Sequence, residues 1–120
     1  MREPFGQRLA DAVAARGPLC VGVDPHAPLL AKWGLPDSPD GLARFTDAVV
    51  DALAGSVAVL KPQAAFYERH GSRGLAVLED GVARARAAGV GRTVPGDQGQ
   101  EEVAPRRRCG SGSHATHCRV

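Results

Sequence analysis

Two apolar runs in this sequence stop at a charge followed by proline. Leu19-Cys20-Val21-Gly22-Val23 ends at Asp24-Pro25, and Val57-Ala58-Val59-Leu60 ends at Lys61-Pro62. Each proline interrupts backbone pairing and turns the chain, which leaves a charged side chain at the rim of an apolar element. Neither charge can be buried alone without a large desolvation cost. Two arrangements satisfy the pair: an Asp24–Lys61 salt bridge closing the sheet end, or a polar ligand held by both charges. His26 follows Asp24-Pro25 at the same rim and is the residue type that titrates near neutrality. Far along the chain stand four potential zinc ligands, Cys109, His114, His117 and Cys118. Their spacings match no common finger and their flanks offer no apolar fold to hold a closed site, so no metal is expected. Arg106-Arg107-Arg108 is too short for the basic clusters that grip nucleic acid.

The elements that must position Asp24 and Lys61 follow from hydrophobic spacing. Phe5, Leu9, Ala12, Val13 and Arg16 form a helical stripe that stops at Gly17-Pro18. The two short β-branched runs read as strands near residues 19–24 and 57–61, buried on both faces as in a parallel sheet. Between them, Leu29, Leu30 and Trp33 suggest a short helical turn, and residues 35–40 form a loop rich in helix-start residues. Leu42, Phe45, Thr46, Val49, Val50 and Leu53 then mark an amphipathic helix over about 40–54. Glu68 and Tyr67 are expected to begin a loop into a third helix, N-capped by Ser72, over about 72–88. The order α-β-α-β-α, with helical crossovers, predicts two adjacent parallel strands carrying their chemistry at the carboxyl ends. Cys20, inside the first strand, is expected to be a small core residue.

Composition divides the chain near residue 90. Every Leu, Phe, Trp and Tyr lies before that point, whereas residues 91–120 hold five Gly, five Arg and two Pro and no Leu, Ile, Phe, Met, Trp or Tyr. Such a segment cannot bury enough apolar area to offset its conformational entropy, so 91–120 is expected to be a disordered tail. The net charge of +2 is too small to argue for nucleic acid or an anionic membrane. No run of about 18 apolar residues is present and no apolar segment follows the first residues, so neither a membrane span nor a signal peptide is expected. Three cysteines, one of them in a strand, fit a reducing, cytoplasmic setting.

The strand-end motifs carry a resemblance. Residues 18–26, Pro-Leu-Cys-Val-Gly-Val-Asp-Pro-His, and residues 59–68, Val-Leu-Lys-Pro-Gln-Ala-Ala-Phe-Tyr-Glu, resemble the opening of orotidine 5′-phosphate decarboxylases of the actinobacterial kind. Phe5, Gly6, Arg8 and Leu9 before them, and Gly71, Gly74, Leu75, Leu78 and Glu79 after them, continue the likeness in order over about residues 4–90. The resemblance implies the N-terminal part of a (β/α)₈ barrel, a fold of about 250 residues, normally a homodimer with no metal or organic cofactor. It implies a small-molecule substrate, orotidine monophosphate, which is converted to UMP and CO₂ in pyrimidine biosynthesis. On this likeness Asp24 would hydrogen-bond the substrate ribose. Lys61 would bind substrate and be the first lysine of a catalytic Lys–Asp–Lys–Asp array, whose fixed charges favour the developing carbanion.

The family pattern breaks after Val90. An Asp-x-Lys-x-x-Asp run is implied there, on a third strand, but residues 91–100 read Gly-Arg-Thr-Val-Pro-Gly-Asp-Gln-Gly-Gln and no such run occurs in the chain. The proton-donating lysine and both array aspartates are therefore missing. The expectation is a truncated or frame-shifted form of a decarboxylase with impaired activity; the alternative is a non-catalytic α/β fragment or interaction protein.

Overall fold

The computed structural model describes residues 3–90 and 92–93, the last two by backbone alone. The elements run α1 (Phe5–Arg16), β1 (Cys20–Val23), α2 (Ala27–Lys32), α3 (Pro39–Leu53), β2 (Val59–Pro62), α4 (Ala65–Glu68), α5 (Gly71–Ala87) and β3 (Arg92–Thr93). Local chemistry sets most of these boundaries. Gly17 ends α1 with a φ of 80°, its N–H donating to the Val13 carbonyl at 2.8 Å. His26 caps α2 by accepting the Leu29 N–H on Nδ1 at 3.2 Å. Ser38 caps α3 by accepting the Gly41 N–H on Oγ at 3.2 Å, with Pro39 and Asp40 in the first turn. α5 starts at Gly71 after His70 and has no side-chain cap, so the cap expected at Ser72 is not used. Gly71 itself has a φ of 64°, and that left-handed turn starts the helix one residue early.

The sheet is parallel, in the order β1-β2-β3. Val21, Val23, Leu60 and Pro62 turn toward the helices and are buried. They meet the α3 stripe of Leu42, Phe45, Val49 and Val50, together with Leu78 and Ala85 of α5. Burial of a Phe45-sized side chain is worth about 3–5 kcal/mol against its truncation to alanine, and Phe45 is completely inaccessible. Gly81 lets α5 approach α3 closely: a β-carbon there would lie 2.6 Å from Thr46 Cγ2. At the rim of the same interface Arg84 pairs with Asp47 and Asp51 across the two helices.

Three expectations are corrected. The strands are buried on one face only, because among the described residues helices cover a single side of the sheet. Cys20 consequently lies on the uncovered face and is exposed rather than part of the core. Tyr67 and Glu68 do not begin a loop. They belong to the short α4, and Tyr67 is fully buried. The ordered chain also passes the expected boundary at residue 90, since Arg92 and Thr93 pair with Val59 and Leu60 as β3. The rest of the expected tail, with Arg106–Arg108 and the Cys109, His114, His117, Cys118 set, lies outside the described residues.

Candidate active site

Strand register decides where the two charges sit. Gly22 pairs with Lys61 and Val23 with Pro62, so Asp24, one residue past β1, and Lys61 share the carboxyl end of the sheet. Side chains alternate along a strand, which places Gly22 and Lys61 together on the face opposite the core. Asp24 turns back over that face. A β-carbon on Gly22 would lie 3.5 Å from Asp24 Oδ2 and 3.7 Å from Oδ1. The Asp24 carboxylate therefore lies over the backbone position directly opposite Lys61, on a strand about 4.8 Å away. Lys61 is exposed and Asp24 half-buried. Among the described residues no ion pair joins them, so the salt bridge that spacing alone allows is not formed; the pairs present are Arg69 and His70 with Asp37, and Arg84 with Asp47 and Asp51.

The floor under these strand ends is rigid for identifiable reasons. Tyr67 and Thr46 line the apolar space beneath the sheet together with Val23 and Pro62, the residues adjoining Asp24 and Lys61. Their hydroxyls are hydrogen-bonded at 3.0 Å. Burial pushes the Tyr67 phenol up to about 12; the bond to Thr46 opposes the shift and the nearby negative charge of Asp24 adds to it. Above the sheet end, Arg69 grips Asp37 through both guanidinium nitrogens, one at 3.0 Å, while its Nε donates to the Phe66 carbonyl at 3.2 Å. The hydrogen bond from Arg69 holds the Asp37 carboxyl below its usual range, against the opposing effect of desolvation. This clamp ties the loop before α3 to the turn before α5, the two connections that leave the carboxyl ends of β1 and β2. His26 is exposed, with its ring 6.0 Å from that of Phe66.

No family model matches the chain. The comparison with individual proteins decides the matter. Three quarters of the chain matches an orotidine 5′-phosphate decarboxylase. The relative from Streptomyces coelicolor is 67% identical over 88 residues, which are 73% of this chain and 32% of that protein. The one from Salinispora arenicola is 63% identical over 87 residues, 72% of this chain and 31% of the relative. A crystal structure from Streptomyces avermitilis assigned to the same enzyme superposes with a TM-score of 0.73 at 65% identity, covering 74% of this chain and 31% of that one. The chain thus spans about a third of the length of the curated decarboxylases it matches, and its α/β unit is a fragment of a (β/α)₈ barrel.

Both strand-end residues named from sequence, Asp24 and Lys61, come together in space. Three further contributors had no such signal. Gly22 matters because it lacks a side chain under the Asp24 carboxylate. Thr46 reads as one polar residue in an apolar helical stripe, a visible irregularity whose partner Tyr67 lies 21 positions on. The Asp37–Arg69 clamp joins residues 32 apart, and nothing in its local sequence marks it. Among the described residues no group of three or more His, Cys, Asp or Glu could hold a metal, and no helix is long and apolar enough to cross a membrane.

Proposed function

We propose that this chain carries the first two strand-end groups of an orotidine monophosphate decarboxylase site. In this reading Asp24 accepts a hydrogen bond from a ribose hydroxyl, and the Lys61 ammonium stands beside the pyrimidine carbon that loses its carboxylate. The C–CO₂ bond breaks, its electron pair stays on the ring carbon, and a proton replaces CO₂ to give UMP. A fixed cation at that carbon stabilises the charge as it develops, without reorganisation. The observation that supports the reading most is the placement of Asp24 and Lys61 at one sheet end, on the face away from the core, with Gly22 leaving room between them.

Lys61 alone is not a catalyst. The chain contains no Asp-x-Lys-x-x-Asp run, so a proton donor and two carboxylates must come from elsewhere. Cooperating catalytic groups lose most of their benefit when one member is missing. The 120-residue chain by itself is therefore expected to show no turnover, and homodimer formation of the kind the family implies needs the remainder of a barrel. The test is a chimera in which residues 5–90 replace the matching segment of the Streptomyces coelicolor decarboxylase. An active chimera supports the assignment; a folded chimera without activity contradicts it.

A further inference from the structure

The helices cover one face of the sheet, and the other face ends at an unpaired strand. The Val59 N–H donates to the Leu19 carbonyl at 3.4 Å and the Gln63 N–H to the Val23 carbonyl at 3.1 Å. Odd-numbered residues of β1 thus point their backbone groups at β2, and the period of two leaves those of Cys20 and Gly22 on the outer edge. That edge is a template for another strand. The open face beside it carries exposed Cys20, half-buried Asp24 and exposed Lys61. Whatever covers it must bring a donor to Asp24 and negative charge to Lys61, because burying either alone is unfavourable.

We infer that the outer edge of β1 and the open sheet face form a docking surface for a separate polypeptide carrying the remaining strands of a decarboxylase-type barrel. A second copy of this chain fits less well. A two-fold axis would pair β1 with β1 antiparallel, extending the sheet sideways and leaving both open faces uncovered. Parallel sheets are covered on both sides, so the fitting occupant continues the sheet in parallel and curls back over the Asp24–Lys61 face. The superposition of this chain on only 31% of a solved decarboxylase gives that occupant its size. The inference rests on the proposed function for the identity of the partner, but the surface itself follows from the register.

The experiment mixes the full chain with the part of the Streptomyces coelicolor decarboxylase that lies outside the match, and follows amide hydrogen exchange and mass by light scattering. The inference predicts a 1:1 complex and exchange at the Cys20 and Gly22 amides slowed by ~10-fold or more. Cys20→Pro, which removes an edge donor, abolishes the complex. Lys61→Glu, which leaves the strand ladder intact and inverts the charge on the face, weakens it and serves where the proline variant fails to fold. A folded chain whose edge amides exchange at the same rate with and without the partner overturns the inference, as does protection of those amides by self-association alone. A complex without decarboxylase turnover upholds the docking surface and counts against the proposed function.

Discussion

Replacing Thr46 by valine should destabilise this fold more than replacing Tyr67 by phenylalanine, and making both changes should undo much of the damage. The Tyr67 side chain is completely inaccessible and Thr46 is 4% exposed, so their 3.0 Å hydrogen bond is one that water cannot replace. Thr46→Val keeps the shape of α3 but strands a buried phenol. Leaving such a group unsatisfied costs about 1–3 kcal/mol. Tyr67→Phe strands the smaller hydroxyl, which can turn back to its own helix carbonyl, so about 0.5–1.5 kcal/mol is expected. The double variant buries two apolar groups of matching shape and should be close to neutral, giving a coupling of ~1–2 kcal/mol. A domain of this size has roughly 5–13 kcal/mol of stability in all, so the effect is a substantial fraction. Urea unfolding followed by the fluorescence of Trp33, the single tryptophan, reads it directly, because the Trp33 ring lies 4.7 Å from that of Phe45 on α3. Additive single effects, or two singles without measurable cost, would show that the hydroxyls are not paired in a dry site.

Gly81→Ala should cost about 1–3 kcal/mol, since its methyl meets Thr46 Cγ2 at 2.6 Å and forces α5 from α3; Gly55→Ala, with nothing within 4 Å, serves as the tolerated control in the same urea series. Asp37→Asn should lower stability at neutral pH but not in acid. The carboxyl is held below its ordinary value of 3.8, chiefly by Arg69, so its contribution is present above that value and fades as pH falls through the lower folded-state value. Equal losses at pH 7 and at pH 2–3 would mean that the Arg69 clamp does not act through the Asp37 charge.

The architecture was largely legible because it rests on local patterns. The stripe from Leu42 to Leu53 and the stop at Gly17 placed α3 and the end of α1 to within a residue or two. The two charge-proline strand ends marked Asp24 and Lys61 for the same reason: a charge at the end of an apolar run has few bland explanations. What stayed hidden depends on tertiary packing. A short apolar run cannot reveal that one of its faces will lack a cover, so Cys20 reads as core although it is exposed. Tyr67 reads as a loop residue because a four-residue helix has too little periodicity to recognise, and its burial depends on Thr46 from another helix. β3 escaped notice because Arg92-Thr93 has no apolar character; its pairing with Val59 and Leu60 is a matter of backbone geometry.

The central claim is that Asp24 and Lys61 act on one substrate from one sheet end. Steady-state decarboxylation by the chimera bearing residues 5–90 tests it most directly, with Asp24→Asn and Lys61→Ala made in that background. Loss of a charged hydrogen bond to ribose, worth about 1.5–3 kcal/mol, should appear for Asp24→Asn as a KM raised by ~10-fold or more. Loss of the fixed cation should appear for Lys61→Ala in kcat, lowered by ~10²-fold or more. Both variants turning over within about twofold of the parent chimera, well under the tenfold that corresponds to 1.4 kcal/mol, would contradict the account.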